Sequence, residues 1–476
     1  MEEPVFVILF LLLCLCFSLL VAPHLFAKQE AKNLPPGSMG WPICGETLSF
    51  LKSHRSTSMG SFLKKHCSSY GKVFKSHLFG SPTIVSGDPE LNLFILQNEE
   101  KLFRASYTKP VLDIVGKLSL IAVSGELHKK LRSIAVSFIT SSKSTPHFLL
   151  LVEKMSLSIM NSWKEQKQIA FYVETKKFTL YLLLNHFLSI GPEEPLAFKI
   201  LEDFETYMKG FMSLPIYIPG TAYAKAVKAR ERLSLTVREI IREREQNNSR
   251  HGEGNFLDVI MAKQGLSYEE RVSIVLDILL AGYETTATLI ALIVYFLANA
   301  PDVFDQLKEE HQEIRKRKDD GEPLNWEDYQ KMQFTNNVIH EALRCGNIAK
   351  FVPRKALQDI VFKDYFIPSG WKVFPVFTAV HLDPTLHENP SEFNPWRWTD
   401  YKAMSKRVMP FGGGPRHCPG SELAKVEISF FLHHLVLNYR WKIKADDFPV
   451  AYPYVEFPRG LVLDIEPTGV MVGNND

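Results

Sequence analysis

The sequence of 476 residues has few cysteines and little net charge. Its six cysteines include no C-x-x-C pair, so neither a disulfide framework nor a zinc site is indicated. The formal net charge is only +2 at pH 7, whereas nucleic-acid-binding domains carry a marked basic excess. With 46% hydrophobic and 23% charged residues, the chain is too apolar to be intrinsically disordered. We therefore expect a folded protein with reduced thiols, which suits the cytosol, and no nucleic-acid partner.

Basic residues are missing from the start of the chain, where Glu2 and Glu3 precede an apolar run over residues 5–22. That run is long enough to cross most of a hydrocarbon core of about 30 Å. A cleaved signal peptide is the alternative, but it would need a basic segment before a shorter apolar run. Lys28 and Lys32 follow the run, so the positive-inside rule places the folded body in the cytosol. The pattern predicts a single-pass membrane anchor.

A proline-rich stretch, Leu34–Pro42, follows the anchor. Its prolines and glycines exclude a helix or a paired strand, so it is predicted to be a stiff connector. The chain is thereby divided into a membrane anchor (residues 1–27), a proline-rich hinge (28–45) and a folded body (46–476).

The folded body has mostly helical patterns. Residues Val73–Ser86 predict two strands joined by a Gly80-Ser81-Pro82 turn, and residues 360–376 also have strand character. From Pro89 to Ala300 the apolar residues recur at helical spacing, and another helix is expected to begin near Asn325. We therefore predict a mainly α fold with a minor β region.

The segment 410–420 is rich in glycine and proline and contains Cys418. It cannot continue a helix or strand, so it must fold into a tight turn around the sulfur. A helical pattern follows directly, and a helix N-terminus favours the thiolate that binds iron. Phe411 can cover the sulfur, Gly414 lets the backbone approach a flat cofactor, and Arg416 can pair with an acidic group of that cofactor. A buried structural cysteine is the alternative, but it explains neither Phe411 nor Arg416.

A second segment with unusual polar residues lies inside a long apolar helix. Ser267 and Glu270 form a capping-box pattern, and apolar residues continue to Ala298 before a proline stops the helix. The helix is not expected to be a second membrane span, because polar and small residues interrupt its middle. These are Asp277, Gly282, Glu284, Thr285 and Thr286.

The polar residues of this helix suit proton delivery. Gly282 leaves room for a planar cofactor, and the hydroxyl of Thr285 can donate to the carbonyl of Ala281 four residues earlier. That bond loosens one turn of the helix and admits water. Thr285 and Glu284 can then deliver protons to oxygen under activation. A buried helix with an ordinary kink is the alternative.

These segments resemble the cytochrome P-450 superfamily. Residues Phe411–Gly420 match its haem-binding signature F-x-x-G-x-R-x-C-x-G in full, and Ala281–Thr285 matches its A-G-x-E-T signature. Glu341–Arg344 (E-x-x-R) and Phe393–Arg397 (F-x-P-x-R) resemble two more signatures, and the likeness runs from about Leu34 to the C-terminus. Length alone would fit two or three domains. The resemblance instead implies the single-domain cytochrome P-450 fold with an N-terminal transmembrane helix.

The resemblance also implies roles for individual residues. Cys418 is expected to be the axial ligand of haem b, and Thr285 and Glu284 the catalytic pair. Further residues expected at the haem are Phe411, Gly414, Arg416, Arg354, Ala281, Gly282, and, on one helix face, His128 and Arg132. His128 stands where most relatives have tryptophan. A buried structural triad is implied for Glu341, Arg344 and Arg397, and apolar candidates for the pocket wall are Ile114, Val115, Ile278, Phe351 and Val352.

The implied reaction is monooxygenation of a lipophilic substrate. It needs O₂ and two electrons from NADPH, which arrive through a flavoprotein reductase at the membrane of the endoplasmic reticulum. The finer likeness is to plant steroid hydroxylases of brassinosteroid synthesis, of the type that acts on side-chain carbon 22. Plant triterpenoid oxidases share nearly all of these motifs and remain an alternative. A haem-thiolate isomerase or dehydratase and a non-enzymatic haem sensor are two others, but neither needs the Glu284-Thr285 pair.

Overall fold

The computed structural model describes residues 33–468, except residues 43, 212, 214, 247–253, 445–446 and 453. The predicted anchor, residues 1–27, lies outside the described residues. The described part of the hinge is docked on the fold, since the N–H of Lys75 donates to the carbonyl of Pro36 at 2.9 Å. Gly37 has φ +154°, and a Cβ there would lie 2.1 Å from the carbonyl oxygen of Lys75. Glycine therefore permits this close approach.

The helices and strands alternate in the first part of the chain and become mainly helical after residue 105. In order they are α1 (Thr47–Phe50), β1 (His54–Arg55), α2 (Gly60–Tyr70), β2 (Val73–Leu78), β3 (Ser81–Ser86), α3 (Pro89–Gln97), β4 (Phe103–Ala105), α4 (Lys109–Val115), α5 (Gly125–Ser142), α6 (Pro146–Asn161), β5 (Gln168–Ala170), α7 (Phe171–Leu188), α8 (Pro195–Phe211), α9 (Ala222–Gln246) and α10 (Phe256–Ala262).

The second part contains the longest helix and most of the short strands. It comprises α11 (Tyr268–Ala298), α12 (Pro301–Lys316), α13 (Trp326–Lys331), α14 (Gln333–Gly346), β6 (Arg354–Ala356), β7 (Ile360–Phe362), β8 (Tyr365–Ile367), β9 (Lys372–Pro375), α15 (Phe377–His381), α16 (Tyr401–Ser405), α17 (Ser421–Asn438), β10 (Tyr439–Ile443), β11 (Val450–Tyr452), β12 (Tyr454–Glu456) and β13 (Val462–Pro467), with short 3₁₀ turns at Pro395–Thr399 and Gly414–Arg416. The fold is a single, mainly helical domain with a minor β part.

The largest sheet has the strand order β2-β3-β9-β6-β4, and only the β3–β9 pair is parallel. Smaller sheets have the orders β1-β11-β12, β10-β13-β5 and β7-β8. Alternate residues of the large sheet pack into two different cores, because successive side chains of a strand point to opposite faces. Val73 and Ile84 pack on the side of α3, and Phe74 and Val85 on the side of α2. The main core lies among the long helices.

The hairpin between β2 and β3 turns one residue earlier than predicted. Phe79 and Gly80 have φ of +52° and +72°, the left-handed pair that forms a tight two-residue turn between strands. Ser81 and Pro82 therefore belong to β3, and Pro82 lies opposite His77. The prediction of two strands is confirmed, and the prediction that the turn includes Ser81 and Pro82 is wrong.

The long helix α11 begins and ends as the sequence predicts. Ser267 Oγ accepts from the N–H of Glu270 at 3.2 Å, and Glu270 Oε2 accepts from the N–H of Ser267 at 2.8 Å. Among the described residues, α11 is the one helix long and apolar enough to cross a membrane. However, 61% of the apolar 18-residue window within this helix is buried inside the protein, as expected for the core helix of a globular domain.

The helix predicted to begin near Asn325 is divided into α13 and α14. Met332 separates them with ψ +58°, which is not helical. The carboxylate of Glu310 accepts from the N–H groups of Phe334 and Thr335 at 2.6 and 2.9 Å. These bonds satisfy the free amides at the start of α14, so a side chain distant in sequence stabilises the break.

His186 gives the fold a measurable dependence on pH. It is buried on α7 between the rings of Phe138 and Phe148, and burial together with the charge of His147 lowers the pKa of His186 to about 3. An unfolded chain protonates histidine near pH 6.5. Between pH 6.5 and 3 the unfolded state therefore binds more protons, and stability falls as the pH falls.

We expect the substitution His186→Phe to weaken this dependence. The slope of the unfolding free energy against pH should decrease between pH 6 and 4 by up to about 1.4 kcal/mol per pH unit. Urea denaturation at a series of pH values measures it. Ser142→Ala, which removes only the hydroxyl bonded to His186, should keep the wild-type slope, and an unchanged slope in His186→Phe would contradict the assignment.

Candidate active site

The cysteine loop is closed by backbone hydrogen bonds. The N–H of Cys418 donates to the carbonyl of Phe411, and that of His417 to the carbonyl of Gly414, both at 3.0 Å. Gly414 has φ +63°, and a Cβ there would lie 2.0 Å from the carbonyl oxygen of Leu96 at the end of α3. Glycine is therefore required because α3 packs directly on the loop, a contact that the sequence did not reveal.

Burial and the neighbouring polar groups have opposite effects on the pKa of Cys418. Burial raises the pKa of the thiol, while the N–H groups of Gly420 and Ser421 and the charge of Arg132 act in the opposite direction. The predicted helix N-terminus, at the start of α17, is present, yet burial outweighs it. Iron coordination itself is what deprotonates a thiol in such a place.

The middle of α11 presents a hydroxyl to a space within the fold. Thr285 Oγ1 donates to the carbonyl of Ala281 at 2.6 Å. Both residues are exposed, whereas Tyr283 and Thr286 beside them are buried. Since α11 is otherwise a core helix, the exposed residues line an internal space rather than the outer surface.

Gly282 lies at the contact between α7 and α11. A Cβ at this position would lie 2.9 Å from Cδ1 of Leu183 on α7. The missing side chain therefore lets α7 and α11 approach each other. The interpretation that Gly282 makes room for a planar cofactor stays a prediction, and Ala281 is the small residue of the exposed face.

Glu284 is directed towards α7. Its Oε1 accepts from the hydroxyl of Tyr172 at 2.6 Å and lies 3.0 Å from Nζ of Lys176. The same tyrosine hydroxyl lies 2.9 Å from Oγ1 of Thr288. Lys176 is partly exposed, so the carboxylate is connected to solvent on the side of α7. Tyr172 and Lys176 escaped prediction, because nothing in the sequence says that α7 packs against this turn of α11.

Four basic residues predicted at the cofactor lie close enough to influence one another. His128 and Arg132 are on α5, Arg354 begins β6, and Arg416 precedes the cysteine. Burial, followed by the positive charges of Arg416 and Arg132 and a smaller effect of Arg354, lowers the pKa of His128 to about 4. His128 is therefore a neutral hydrogen-bond donor at neutral pH.

A buried acid, Glu99, lies among these bases. Its Oε1 accepts from Nε of Arg416 at 2.6 Å, and its Oε2 lies 2.6 Å from Nε of Arg354. The second contact is an ion pair in which the N–H is not aligned for a hydrogen bond. Arg416 also donates to the carbonyls of Leu120 and Val123 at 3.2 and 2.7 Å. Sequence reasoning missed Glu99, since an acid that follows a helix usually faces solvent.

The structure joins Glu341, Arg344 and Arg397 in one buried network. Arg344 donates through Nε and Nη2 to the two carboxylate oxygens of Glu341 at 2.9 and 2.7 Å, and Arg397 Nε donates at 2.8 Å. Trp398 Nε1 adds a fourth bond at 2.8 Å. Burial favours a higher pKa, but the bonds and charges of the arginines and of Trp398 hold the pKa of Glu341 below its usual range.

Two of the five candidate wall residues lie in the main core. Ile114 is buried there and Ile278 packs against it. Val115 is buried as well, and its carbonyl accepts from Nε of Arg230 at 3.2 Å.

The other two candidates lie elsewhere. Phe351 stacks on Phe374 with ring centroids 5.1 Å apart, beside the large sheet. Val352 packs with Leu96 and Met409 in a small separate cluster. The five residues thus belong to different packing clusters, and a common pocket wall stays a prediction.

These residues fit a haem. Among the described residues, no group of three or more His, Cys, Asp or Glu side chains could hold a metal ion. Iron bound to Cys418 therefore needs a cofactor that supplies the remaining ligands, as a porphyrin does. The bases His128, Arg132, Arg354 and Arg416 are the chemical match for its two propionates.

We expect Glu99→Gln to destabilise the protein by about 3 to 5 kcal/mol, because Arg354 and Arg416 would keep buried charges without their partner. Urea unfolding followed by tryptophan fluorescence measures the change. The matched control is Glu90→Gln, since Glu90 pairs with Lys363 on the surface and such pairs contribute about 0 to 1 kcal/mol. Equal, small effects of both substitutions would show that Glu99 does not hold the two arginines.

Comparison with known proteins shows the family of the chain. The family described as Cytochrome P450 matches residues 35–470. Cytochrome P450 724B1 of Oryza sativa subsp. japonica is 54% identical over 98% of both chains. Cholesterol 22-monohydroxylase CYP90B51 of Trigonella foenum-graecum is 44% identical, over 93% of this chain and 94% of that protein. Steroid (22S)-hydroxylase of Brachypodium distachyon is 42% identical, over 92% and 89%. The solved structure of retinoic acid bound cyanobacterial CYP120A1 superposes with a TM-score of 0.81 at 26% identity, over 92% of this chain and 100% of that one.

Proposed function

Because the chain belongs to the cytochrome P450 family, we propose that this monooxygenase hydroxylates carbon 22 in the side chain of a plant steroid, in brassinosteroid or related biosynthesis. The relatives named as cholesterol or steroid 22-hydroxylases support this substrate at 40 to 44% identity. The name of the rice relative at 54% identity states no substrate, so the assignment is drawn from the hydroxylases.

The observation that carries the reaction type is the exposed hydroxyl of Thr285 on a core helix. Haem b, bound through Cys418, supplies the activation of O₂ with electrons from NADPH by way of a flavoprotein reductase. Arg132, Arg354, Arg416 and neutral His128 would hold its propionates. To reach a propionate, Arg416 would exchange one of its present bonds to a loop carbonyl.

The chain's own contribution to the reaction is proton supply. The hydroxyl of Thr285 donates a hydrogen bond to the carbonyl of Ala281, at the edge of the internal space. Glu284 Oε1 receives hydrogen bonds and charge from Tyr172 and Lys176, on the solvent side. Protons would therefore enter at Lys176, pass to Glu284 and leave at Thr285.

Membrane attachment completes the proposal. The apolar run over residues 5–22 would anchor the protein in the endoplasmic reticulum with the folded domain in the cytosol. The loop between α8 and α9 supports this arrangement, since Ile216, Tyr217 and Ile218 are all exposed. Exposed apolar patches of this kind suit contact with a membrane.

We expect membranes that contain the protein and a reductase to convert sterols to 22-hydroxylated products when NADPH and O₂ are present. The test is incubation with a panel of sterols and triterpenes, with product identification by mass spectrometry. Cys418→Ser should form no product, because a hydroxyl cannot replace the thiolate ligand. Conversion of triterpenes alone would favour the alternative of a triterpenoid oxidase, and turnover without NADPH would favour an isomerase or dehydratase.

We expect Thr285→Ala to keep substrate affinity while the product formed per NADPH oxidised falls at least about tenfold, since proton delivery of this kind contributes about 10²- to 10⁴-fold and water replaces it only in part. Thr285→Ser keeps the hydroxyl and should retain most of the yield. A wild-type ratio in Thr285→Ala would mean that Thr285 only shapes the helix.

A further inference from the structure

A polar cluster borders the same helix face, and proton supply makes no use of it. Asp277 on α11 accepts from the hydroxyl of Ser119 at 2.7 Å and from the N–H of Leu120 at 2.6 Å, one bond to each carboxylate oxygen. Tyr207 on α8 and Arg230 on α9 lie within electrostatic reach of Asp277. We call Tyr207, Arg230 and Asp277 the distal polar cluster.

The cluster has hydrogen-bonding capacity to spare. Tyr207 is only 2% exposed, and its hydroxyl has no hydrogen-bond partner among the described residues. Arg230 donates through Nε to Val115 and through Nη1 to Ser234, while its Nη2 likewise has no partner in the described part of the chain. Neither of these two atoms is fully enclosed by protein, so both remain able to donate to a ligand.

The carboxyl group of Asp277 also has an unusual pKa. Burial raises the pKa of Asp277 to about 6, although the bonds from Leu120 and Ser119 and the charge of Arg230 oppose the shift. Each of its oxygens retains a second lone pair beside the bond to the loop. The carboxylate can therefore accept one more hydrogen bond without release of the loop.

The position of the cluster is as informative as its chemistry. Asp277, Ala281 and Thr285 follow one another at four-residue spacing, so they lie on one face of α11. At a rise of 1.5 Å per residue, Asp277 and Thr285 are about 12 Å apart along the helix. Ile278, half-buried, lies on the stretch between them. A ligand along this face would contact the polar Asp277 at one end and the apolar Ile278 next to it. At the other end it would contact Thr285, which we call the reacting end.

We propose that the distal polar cluster binds the ring hydroxyl of a sterol substrate, with Tyr207 and Arg230 as donors to its oxygen and Asp277 as acceptor. The proposal rests on the proposed function. In a sterol built from single bonds of about 1.5 Å, the ring A oxygen and carbon 22 are separated by on the order of 10 Å. That length matches the spacing from Asp277 to Thr285, so the cluster would bring carbon 22 to the reacting end.

The test compares two ligands that differ by one hydroxyl. Dissociation constants of the purified haem protein are measured for a 3-hydroxysterol and for its 3-deoxy analogue. The wild type should prefer the hydroxysterol about tenfold, and Tyr207→Phe should weaken hydroxysterol binding about three- to tenfold without effect on the deoxysterol, the value of about one hydrogen bond. The deoxysterol should also be oxidised at more than one carbon.

The matched control is Tyr283→Phe. Tyr283 is also buried on α11, and its hydroxyl has no partner within the described part of the chain. Its ring, however, packs on Phe204, away from the face of Thr285. This variant should keep the tenfold preference. Arg230→Gln provides a second test if Tyr207→Phe folds poorly, and it should reduce the preference in the same way.

The outcomes separate the two proposals. Equal wild-type affinity for both sterols, together with a 22-hydroxylated product, would overturn the subsite and leave the proposed function intact. A preference that persists in both Tyr207→Phe and Arg230→Gln would also overturn it. Failure to bind or oxidise any sterol would overturn the proposed function and the subsite with it.

Discussion

The buried carboxylate of Glu99 joins parts of the chain that lie far apart in sequence. It binds Arg416 of the cysteine loop and Arg354 of β6, and it accepts from the N–H of Ala105 at the end of β4. Two guanidinium groups could not be buried side by side without such a partner. The position of the sulfur ligand and the shape of the surrounding loops therefore depend on one ion-pair network.

That network extends to the loop after α4 and to the long helix α11. Arg416 donates to the carbonyls of Leu120 and Val123, and the N–H of Leu120 donates to Asp277 on α11. The loop after α4 is thus held from both sides, by the cysteine loop and by the long helix. A substitution of Arg416 or of Asp277 would therefore remove hydrogen bonds that hold this loop in place.

Within α11, three residues of one short stretch point in different directions, because each residue of a helix is rotated by about 100° from the one before it. Gly282 permits close contact with α7, Glu284 reaches Lys176 and solvent, and Thr285 faces the internal space. Polar groups in a core helix need partners, and here the partners differ from one residue to the next. The same short stretch can therefore pack, take up protons and present a hydroxyl.

Sequence patterns were reliable where a local rule decides the conformation. The capping box of Ser267 and Glu270 set the start of α11, and the bond from Thr285 to Ala281 follows from their spacing on a helix. Errors arose where a distant residue decides. Glu310 divides the helix predicted from Asn325 onward, and this contact has no signature in the sequence.

The sequence by itself determined the family and the mainly helical fold, and it predicted the ligand Cys418 and the catalytic pair Glu284 and Thr285. Short motifs and the period of the hydrophobic residues carry this information. Only the tertiary structure decided that Glu99 lies between Arg354 and Arg416, that Lys176 reaches Glu284, and that Tyr207 and Arg230 approach Asp277. The physical reason is the same in each case. The sequence does not show whether a charged or hydroxyl side chain faces water or a protein partner. That depends on which other segment of the chain packs over it.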